Sequence, residues 1–272
     1  MGSHTTARQQ AMQSDYMLAN VGKEAPARLG ALAAIYDERT ISLLANLGVA
    51  PGRHCLEVGA GSGTIAKWLA ERVGPTGYVL ATDLDTRFLE SLRSPNLEVR
   101  SHNIASDPLP QAAFDLIHTR LVLMHVRQRE TALTRMVSSL KVGGWLLVEE
   151  YDSCSMPPDP AVSPYEAVLQ THVAMLRLLE DGGVNRRYGR LLSGLLRQKG
   201  LTDVGAAAQL LMWQSGSPGI AIMRANFEQL REAMIEGNYV TQQQFDDDLA
   251  RLDDPSFMMP SSILWSAWGR RS

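Results

Sequence analysis

The sequence predicts an α/β protein built on a doubly wound, mostly parallel sheet, and three observations predict it. Short apolar runs of strand length alternate with amphipathic runs of helix length along the central part of the chain. A turn with glycine at every second position follows the first of these runs. The chain has 272 residues, 45% of them hydrophobic, which is enough apolar material for a large core. Strands that alternate with helices form a parallel sheet covered on both faces.

The first segment, residues 1–47, predicts an N-terminal helical lid. Apolar residues recur at helical spacing in "RLGALAAIYDERTISLLANLG". Asp37 interrupts this pattern as a candidate helix cap, and Gly48 ends it. We therefore expect helical structure that is broken at Asp37.

The second segment, residues 48–150, predicts the α/β core. Apolar runs indicate five strands, in the order "HCLEV", "GYVLATD", "NLEVRSHN", "FDLIHT" and "GWLLVEE". Amphipathic runs indicate three helices, "TIAKWLAERVG", "TRFLESLR" and "RQRETALTRMVSSLKVGG". Ligands of such sheets bind at the carboxyl ends of the strands. The last residues of each strand are therefore the first candidates for a site.

The third segment, residues 151–272, predicts the remainder of the core, with its last helix and strands. "LTDVGAAAQLLMWQ" and "SILWSAWGR" indicate two further strands, which bring the sheet to seven. Helical patterns at about 162–182 and 217–252 interrupt the alternation of strands and helices. We expect these two stretches to form a helical cap over the strand ends.

The charge and the cysteine content of the sequence indicate which classes of partner are not favoured. The formal net charge is −3 and the sequence has no run of lysine and arginine, so neither nucleic acid nor a membrane surface is favoured as a partner. No apolar run reaches membrane-spanning length. Cys55 and Cys154 lack the spacing of a metal or redox site, and no other metal motif is present. We expect a cytoplasmic protein with reduced thiols and no metal.

The glycine turn indicates the kind of ligand. Its glycines stand at positions 59, 61 and 63, one residue short of a dinucleotide-binding G-x-G-x-x-G, and no Walker lysine follows. Glu57 lies two residues before the turn, Asp83 ends the second strand and Asn103 ends the third. A pyrophosphate prefers helix N–H groups without a nearby carboxylate. An adenosine that carries a cationic tail fits these groups better.

The order of motifs resembles a known family. "CLEVGAGSG", "LATDLD", "HNIASDPLPQAAFDLIHTRLVLMHV" and "LKVGGWLLVEE" are similar to the ordered motifs of class I S-adenosylmethionine-dependent methyltransferases. The segment before residue 47 resembles a bacterial small-molecule subgroup akin to quinone-biosynthesis methyltransferases. The resemblance implies a Rossmann-like sheet, S-adenosyl-L-methionine as cofactor and S-adenosyl-L-homocysteine as product.

The resemblance also implies roles for individual residues. Gly59, Ala60 and Gly61 would let the backbone approach the methionine part, with Glu57 orienting that loop. Asp83 would accept hydrogen bonds from the ribose hydroxyls, and Leu84 and Ile104 would pack on the adenine ring. Asn103 would accept from the adenine amino group, although family members usually carry aspartate there. Thr119 and Arg120 would flank the methionine part or the methyl group, and Tyr16 would close the lid.

Candidates for catalysis and for binding of the acceptor follow the later strands and the cap. His125, Glu150 and His172 are the candidate bases, each with a packing or hydrogen-bonding role as the alternative. The candidate substrate contacts are Tyr151, Met175, Met212 and Tyr239. Methionine adapts to irregular apolar ligands, which favours an apolar acceptor, although methionine at helical spacing is more often core. His118 lies inside a strand, and we expect only a structural role for it.

The predicted function is methyl transfer to a small, mainly apolar or aromatic metabolite, in bacterial specialised metabolism. Oxygen is the first expected acceptor atom, then carbon, then nitrogen. A nicotinamide-dependent oxidoreductase and a non-catalytic cofactor-binding protein are the alternatives. The expected partner is the small-molecule acceptor, and the N-terminal helices could join two copies of the chain.

Overall fold

The computed structural model describes Leu18, residues 25–155 and residues 169–272. Tyr16, the first half of the predicted lid and the start of the predicted cap helix at about 162–182 lie outside the described residues. Within them, the architecture is a central sheet with helices on both faces and a smaller sheet of two strands.

Nine strands are present in the described residues. In chain order they are β1 (His54–Val58), β2 (Tyr78–Asp83), β3 (Leu97–Ser101), β4 (Phe114–Arg120), β5 (Leu140–Asp152), β6 (Leu201–Gln209), β7 (Met212–Gln214), β8 (Met258–Pro260) and β9 (Ile263–Arg271). The central sheet has seven strands in the order β3-β2-β1-β4-β5-β9-β6. β3, β2, β1, β4 and β5 are parallel, whereas β9 runs antiparallel to both of its neighbours. The predicted fold class is confirmed.

The order of the strands creates a crevice between β1 and β4. The chain leaves β1 towards β2 on one side and later returns to β4 on the other, so the connections diverge at this point. Open α/β sheets bind ligands in the crevice outside the strand ends where this reversal occurs. β1 and β4 are largely buried, and their buried residues include polar side chains, Glu57 on β1 and His118 and Thr119 on β4.

The described residues contain seven α-helices. They are α1 (Ala25–Asn46), α2 (Thr64–Val73), α3 (Arg129–Ser139), α4 (Gln170–Asp181), α5 (Tyr188–Gln198), α6 (Pro218–Glu236) and α7 (Gln242–Asp253). Local signals start the last two helices. Ser217 accepts from the Ile220 N–H ahead of Pro218 in α6, and Thr241 forms a capping box with Gln244 in α7.

Two helix predictions were wrong. α1 runs through Asp37 without a break, because the Asp37 carboxylate accepts a hydrogen bond from Arg120 Nη2 at 2.7 Å and caps no helix. The segment "TRFLESLR" forms only a single 3₁₀ turn, Thr86–Leu89, which the Asp85 side chain caps.

The predicted strand from 201 to 214 is divided between two sheets. β6 pairs with β9 in the central sheet, whereas β7 pairs with β8 in the smaller one. The break lies at Leu211, whose backbone N–H bonds the Ser261 hydroxyl at 3.0 Å while its carbonyl accepts from the Ser261 N–H at 2.7 Å.

The cap helices and the sheet share one core. α6 packs against α1, α4 and α7. Leu56 of β1 and Phe227 of α6 belong to the same cluster of buried apolar side chains. The cap is therefore continuous with the core, and the predicted division at residues 47 and 150 stays a prediction.

Candidate functional site

A cavity of about 540 Å³ lies at the carboxyl ends of the strands, between the sheet and the helices α1, α4 and α6. Nine predicted cofactor contacts line it: Glu57, Gly59, Ala60, Gly61, Asp83, Leu84, Asn103, Ile104 and Arg120. Thr119 does not line it, because its side chain is fully buried within β4. The structure thus brings together the predicted cofactor residues, apart from Thr119 and the undescribed Tyr16.

The glycine turn is held to the end of β2 by its own backbone. The N–H groups of Gly59 and Ala60 both donate to the Thr82 carbonyl, at 2.8 and 2.9 Å. Gly59 has φ +72°, and a Cβ there would lie 2.2 Å from Cγ2 of Val122. Only glycine satisfies both conditions. At Gly59 and Gly61 the turn therefore lines the cavity with backbone alone.

Asp83 is fixed by two backbone donors. Its Oδ2 accepts from the Gly61 N–H at 2.9 Å and its Oδ1 from the Asp85 N–H at 3.1 Å. Burial raises the pKa of the carboxyl, and these backbone hydrogen bonds oppose the rise. Each carboxylate oxygen has further lone pairs, so Asp83 can accept two hydroxyl groups from the cavity.

The neighbouring loops offer a flat apolar surface and an amide. Leu84 is 59% exposed although it lines the cavity, which is unusual for leucine and suits a planar ring lying on it. Asn103 sits in a local turn in which its Oδ1 accepts from the Ala105 N–H at 2.9 Å. One lone pair of that oxygen remains for a ligand donor.

Beneath the glycine turn, His118 links two carboxylates from neighbouring strands. Nδ1 of His118 lies 2.8 Å from Oε2 of Glu57, and Nε2 lies 3.1 Å from Oε2 of Glu149. All three residues are buried. Sequence reasoning gave His118 a structural role because it lies inside a strand. The three residues stand on three adjacent strands, β1, β4 and β5, and this adjacency becomes visible only with the order of the strands.

The link continues to α1. The Thr40 hydroxyl donates to Oε2 of Glu149 at 2.6 Å and accepts from Nη1 of Arg120 at 2.9 Å. Nη2 of Arg120 reaches Asp37 on the same helix. Arg120 also lines the cavity. The helix over the cavity is thus tied to the charged groups below it.

The charges of this cluster depend on one another. Burial opposes a charge on His118, but Glu57 and Glu149 outweigh it and raise the pKa of His118 to about 9. Burial raises the pKa of Glu57, and His118 counters part of that rise. For Glu149, burial is outweighed by the hydrogen bond from His118, and its pKa is lowered. A cationic imidazole between two carboxylates is consistent with these directions.

Two other histidines face the far half of the cavity in neutral form. Burial lowers the pKa of His125 to about 3, and the Arg28 and Arg129 cations add to this effect. Burial, with Arg186 nearby, lowers the pKa of His172 to about 4. Both line the cavity, as predicted for candidate bases. No described residue hydrogen-bonds the ring nitrogens of His172. Their catalytic roles stay predictions.

Glu150 lies behind the cavity wall rather than in it. Its Oε1 accepts from the backbone N–H groups of Val122 and Leu123, at 3.1 and 2.6 Å. Burial raises the pKa of this carboxyl to about 8. The turn that it holds runs from Leu121, with φ +57°, to His125. Glu150 therefore positions the turn that carries His125 and does not line the cavity itself.

The predicted substrate contacts divide into two pairs. Tyr151 and Met175 line the cavity. Met212 is 48% exposed, because alternation along β7 turns Trp213 inwards instead. The Tyr239 hydroxyl donates to Oδ2 of Asp181 at the surface, 2.5 Å away. Neither Met212 nor Tyr239 reaches the cavity, which corrects their predicted placement.

Sequence reasoning missed several residues of the cavity wall. From α1 these are Arg28, Leu29 and Leu32, and from the cap they are Trp213, Ile222, Met223 and Asn226. The i, i+1 and i+4 spacing of the α1 residues is a signal for one helix face. Nothing local distinguishes the cap residues, whose positions depend on packing between distant segments.

The described residues contain no group of three or more His, Cys, Asp or Glu side chains arranged to hold a metal ion. Among the same residues, no helix combines the length and the apolarity needed to cross a membrane.

Comparison with known proteins agrees with the fold and with the motifs. Residues 56–148 match the family described as "Methyltransferase domain". The chain is 30% identical over 154 residues to methyltransferase str3 of Strobilurus tenacellus, covering 56% of this chain and 54% of that protein. It is 32% identical over 142 residues to the ubiquinone/menaquinone biosynthesis C-methyltransferase UbiE of Laribacter hongkongensis, covering 50% and 57%. The chain spans about half the length of these curated relatives.

Solved structures share the fold at low identity. The phosphoethanolamine N-methyltransferase 2 of Haemonchus contortus, in complex with S-adenosyl-L-methionine, superposes with a TM-score of 0.58 at 13% identity, over 97% of this chain and 60% of that one. The YcgJ protein of Bacillus subtilis superposes with a TM-score of 0.55 at 15% identity, over 86% and 99%. Residues 56–148 thus match a methyltransferase domain, and the motifs and the sheet order of the chain agree with that match.

Proposed function

We propose that the protein transfers a methyl group from S-adenosyl-L-methionine to a small, mainly apolar or aromatic metabolite, with oxygen as the first expected acceptor atom. One observation carries the proposal: a single cavity joins the glycine turn and Asp83 to a chamber walled by apolar side chains of the cap. A donor held at the first end would face an acceptor held at the second.

The residues at the first end fit the donor. Gly59, Ala60 and Gly61 line the cavity, and Gly59 has the positive φ that glycine adopts without strain. Asp83 offers carboxylate lone pairs to a ribose, and Leu84 offers an apolar surface to an adenine ring. Glu57 provides negative charge for a cationic tail. When bound, the donor supplies a methyl group on a sulfonium centre, which an acceptor atom displaces in line.

The residues of the chain orient the two reactants and limit the access of water to them. Side chains of α1, α4 and α6 line the cavity opposite the strand ends, which reduces the access of water to the reacting atoms. Orientation of two reactants in one cavity replaces an encounter in solution. His125 and His172 are neutral imidazoles at this end, and a neutral ring nitrogen can accept a hydrogen bond from an acceptor hydroxyl. Their low pKa favours a role in orienting the hydroxyl over full proton removal.

Several features support a small, apolar acceptor. The acceptor end is lined by Met175, Leu176, Leu179, Val184, Trp213, Ile222 and Met223. The cavity volume, about 540 Å³, is that of a site for a small molecule. Relatives named as C-methyltransferases of quinone biosynthesis make carbon the second expected acceptor atom.

Calorimetry tests the donor half of this proposal. We expect the protein to bind S-adenosyl-L-homocysteine and not NAD, and Asp83→Asn to weaken binding because one carboxylate acceptor becomes an amide donor. Asp247→Asn, an exposed carboxyl on α7, is the matched control. Binding of NAD in its place would support the oxidoreductase alternative.

Turnover tests the acceptor half. A panel of small phenols, quinols and apolar amines, assayed with labelled donor, should yield methylated product for the oxygen or carbon acceptors. Tight donor binding without turnover on any of them would favour the non-catalytic alternative.

A further inference from the structure

His118 sits at the centre of a buried cluster that the proposed transfer does not use directly. Its side chain is 0% exposed, and its ring nitrogens face one carboxylate each, Glu57 on β1 and Glu149 on β5. Glu57 also lines the cavity below the glycine turn, whereas Glu149 does not. The ring is therefore an intermediary between the cavity and the interior of the sheet.

The contacts of the His118 ring indicate which of its two nitrogens carry a proton. A carboxylate only accepts hydrogen bonds, so both Nδ1 and Nε2 must donate for both contacts to be favourable. A neutral imidazole has one donor and would turn a lone pair towards the other carboxylate. The charged groups that face the ring are Glu57 and Glu149, and with both of them ionised the favourable state of His118 is the cation.

Glu149 is anchored from two further elements. Thr40 on α1 donates to its Oε2, and the Ser266 hydroxyl on β9 donates to its Oε1, both at 2.6 Å. With His118, three donors fix this carboxylate, and its position in turn fixes the ring. Glu57, by contrast, has His118 as its side-chain donor among the described residues.

A buried group of two anions and one cation is a weak source of stability. The cost of removing charges from water often exceeds their mutual attraction, and apolar residues of similar size pack as well. An apolar side chain at this position of β4 would continue the pattern of its neighbours, Leu116 and Ile117. The arrangement is therefore better explained by what it does to Glu57.

We propose that His118 is a positioning residue of the methyl-donor site: anchored through Glu149 to Thr40 of α1, it holds the Glu57 carboxylate as an anion in the wall of the cavity. This inference rests on the proposed function, because the ligand that benefits is the cationic methionine end of the donor. The inference also connects two features through the imidazole of His118: the position of α1 over the cavity and the charge of Glu57 below the glycine turn.

The first experiment is the change His118→Asn, with His54→Asn as the matched control. His54 lies on β1 but is exposed and outside the cluster. By calorimetry, we expect S-adenosyl-L-homocysteine to bind about tenfold more weakly to His118→Asn and unchanged to His54→Asn. In turnover, KM for the donor should rise while kcat changes less, because the acceptor end is untouched.

Separate outcomes bear on the two proposals. If the wild-type protein does not bind S-adenosyl-L-homocysteine, the proposed function fails. If it binds and a folded His118→Asn binds equally well, the positioning role is overturned and the proposed function stands.

A second measurement does not depend on the variant folding. In ¹⁵N-labelled wild-type protein, the imidazole of His118 should carry protons on both ring nitrogens at pH 7.5. A neutral tautomer at that pH would overturn the assignment, whatever the binding data show. As a further check, Glu149→Gln should retain the Thr40 contact but weaken donor binding, since the anchor of the ring loses its charge.

Discussion

The two ends of the cavity are built in different ways. At the donor end, the backbone of the glycine turn and the side chain of Asp83 are fixed by hydrogen bonds to β2 and to each other. At the acceptor end, side chains from α4, α6 and β7 form the wall by packing. The donor end also carries a charged imidazole beneath it, whereas the histidines of the acceptor end are neutral.

This difference implies that the donor end tolerates few substitutions, whereas the acceptor end tolerates many. A turn that needs glycine and a pinned carboxylate tolerates little change, which suits a donor shared by a whole family. A wall of apolar side chains can be repacked with little effect on the sheet. The donor should therefore be bound by backbone geometry and the acceptor selected by side-chain shape.

The largest effect expected is at the glycine turn. Gly59→Ala places a Cβ 2.2 Å from Val122 Cγ2 at φ +72°, so we expect the free energy of unfolding to fall by about 2–3 kcal/mol and donor binding to be lost. Gly194→Ala in α5, where a Cβ meets nothing within 4 Å, is the control and should stabilise by about 0.5–1 kcal/mol. Chemical denaturation and calorimetry measure both. Unchanged donor binding in Gly59→Ala would remove the contrast between the ends.

The next effect concerns the turn that joins the two ends. Glu150→Ala leaves the N–H groups of Val122 and Leu123 without their acceptor, at a cost of about 1–3 kcal/mol. Glu150→Gln keeps an acceptor oxygen and should cost less. Turnover should fall more than donor affinity in Glu150→Ala, because the turn carries His125. Equal unfolding free energies for the two variants would contradict this role.

The histidines of the two ends should respond oppositely to pH. The pKa of His118 is raised to about 9, so its contribution to stability is present below about pH 6.5 and lost as pH rises to about 9. The pKa of His172 is lowered to about 4, so the unfolded chain binds a proton first, and stability is lost as pH falls from about 6.5 to about 4.

Difference curves isolate each histidine. The free energy of unfolding of the wild type minus that of His118→Asn should decrease towards alkaline pH. The same difference for His172→Asn should decrease towards acid pH. Urea titrations across the pH range measure both, and slopes of the same sign would show that the two environments are alike.

The smallest effect is expected at the surface of the cap. Met212→Ser and Tyr239→Phe should leave KM for the acceptor unchanged, because neither residue reaches the cavity. Trp213 lies next to Met212 on β7 and lines the cavity, so Trp213→Leu should change KM for the acceptor. A change in KM for Met212→Ser equal to that for Trp213→Leu would contradict the orientation of β7 described above.

Sequence could predict the donor end because its chemistry is local. Gly59 and Gly61 need left-handed backbone, and Asp83 follows a strand, so a short motif and a strand end locate them. The sequence could not predict that α1 continues through Asp37. The Asp37 carboxylate binds Arg120, which is distant in the chain, and is therefore not used as a helix cap.

The acceptor end and the charged cluster could be predicted less well. Met212 and Trp213 are adjacent, and only the register of β7 on β8 determines which one turns inwards. His118 gave no signal within its own strand, since its partners come from the strands on either side. Residues whose role arises from neighbouring strands become visible only when the sheet order is known.

The indole of Trp213 lies flat on Gly219 at the start of α6, where an added Cβ would come within 2.2 Å of the ring. One methyl group at that glycine would tip the indole and open the chamber next to it. Because the two-stranded sheet that carries Trp213 is separate from the central sheet, we expect such a change to admit larger acceptors without altering the residues proposed to bind adenosine.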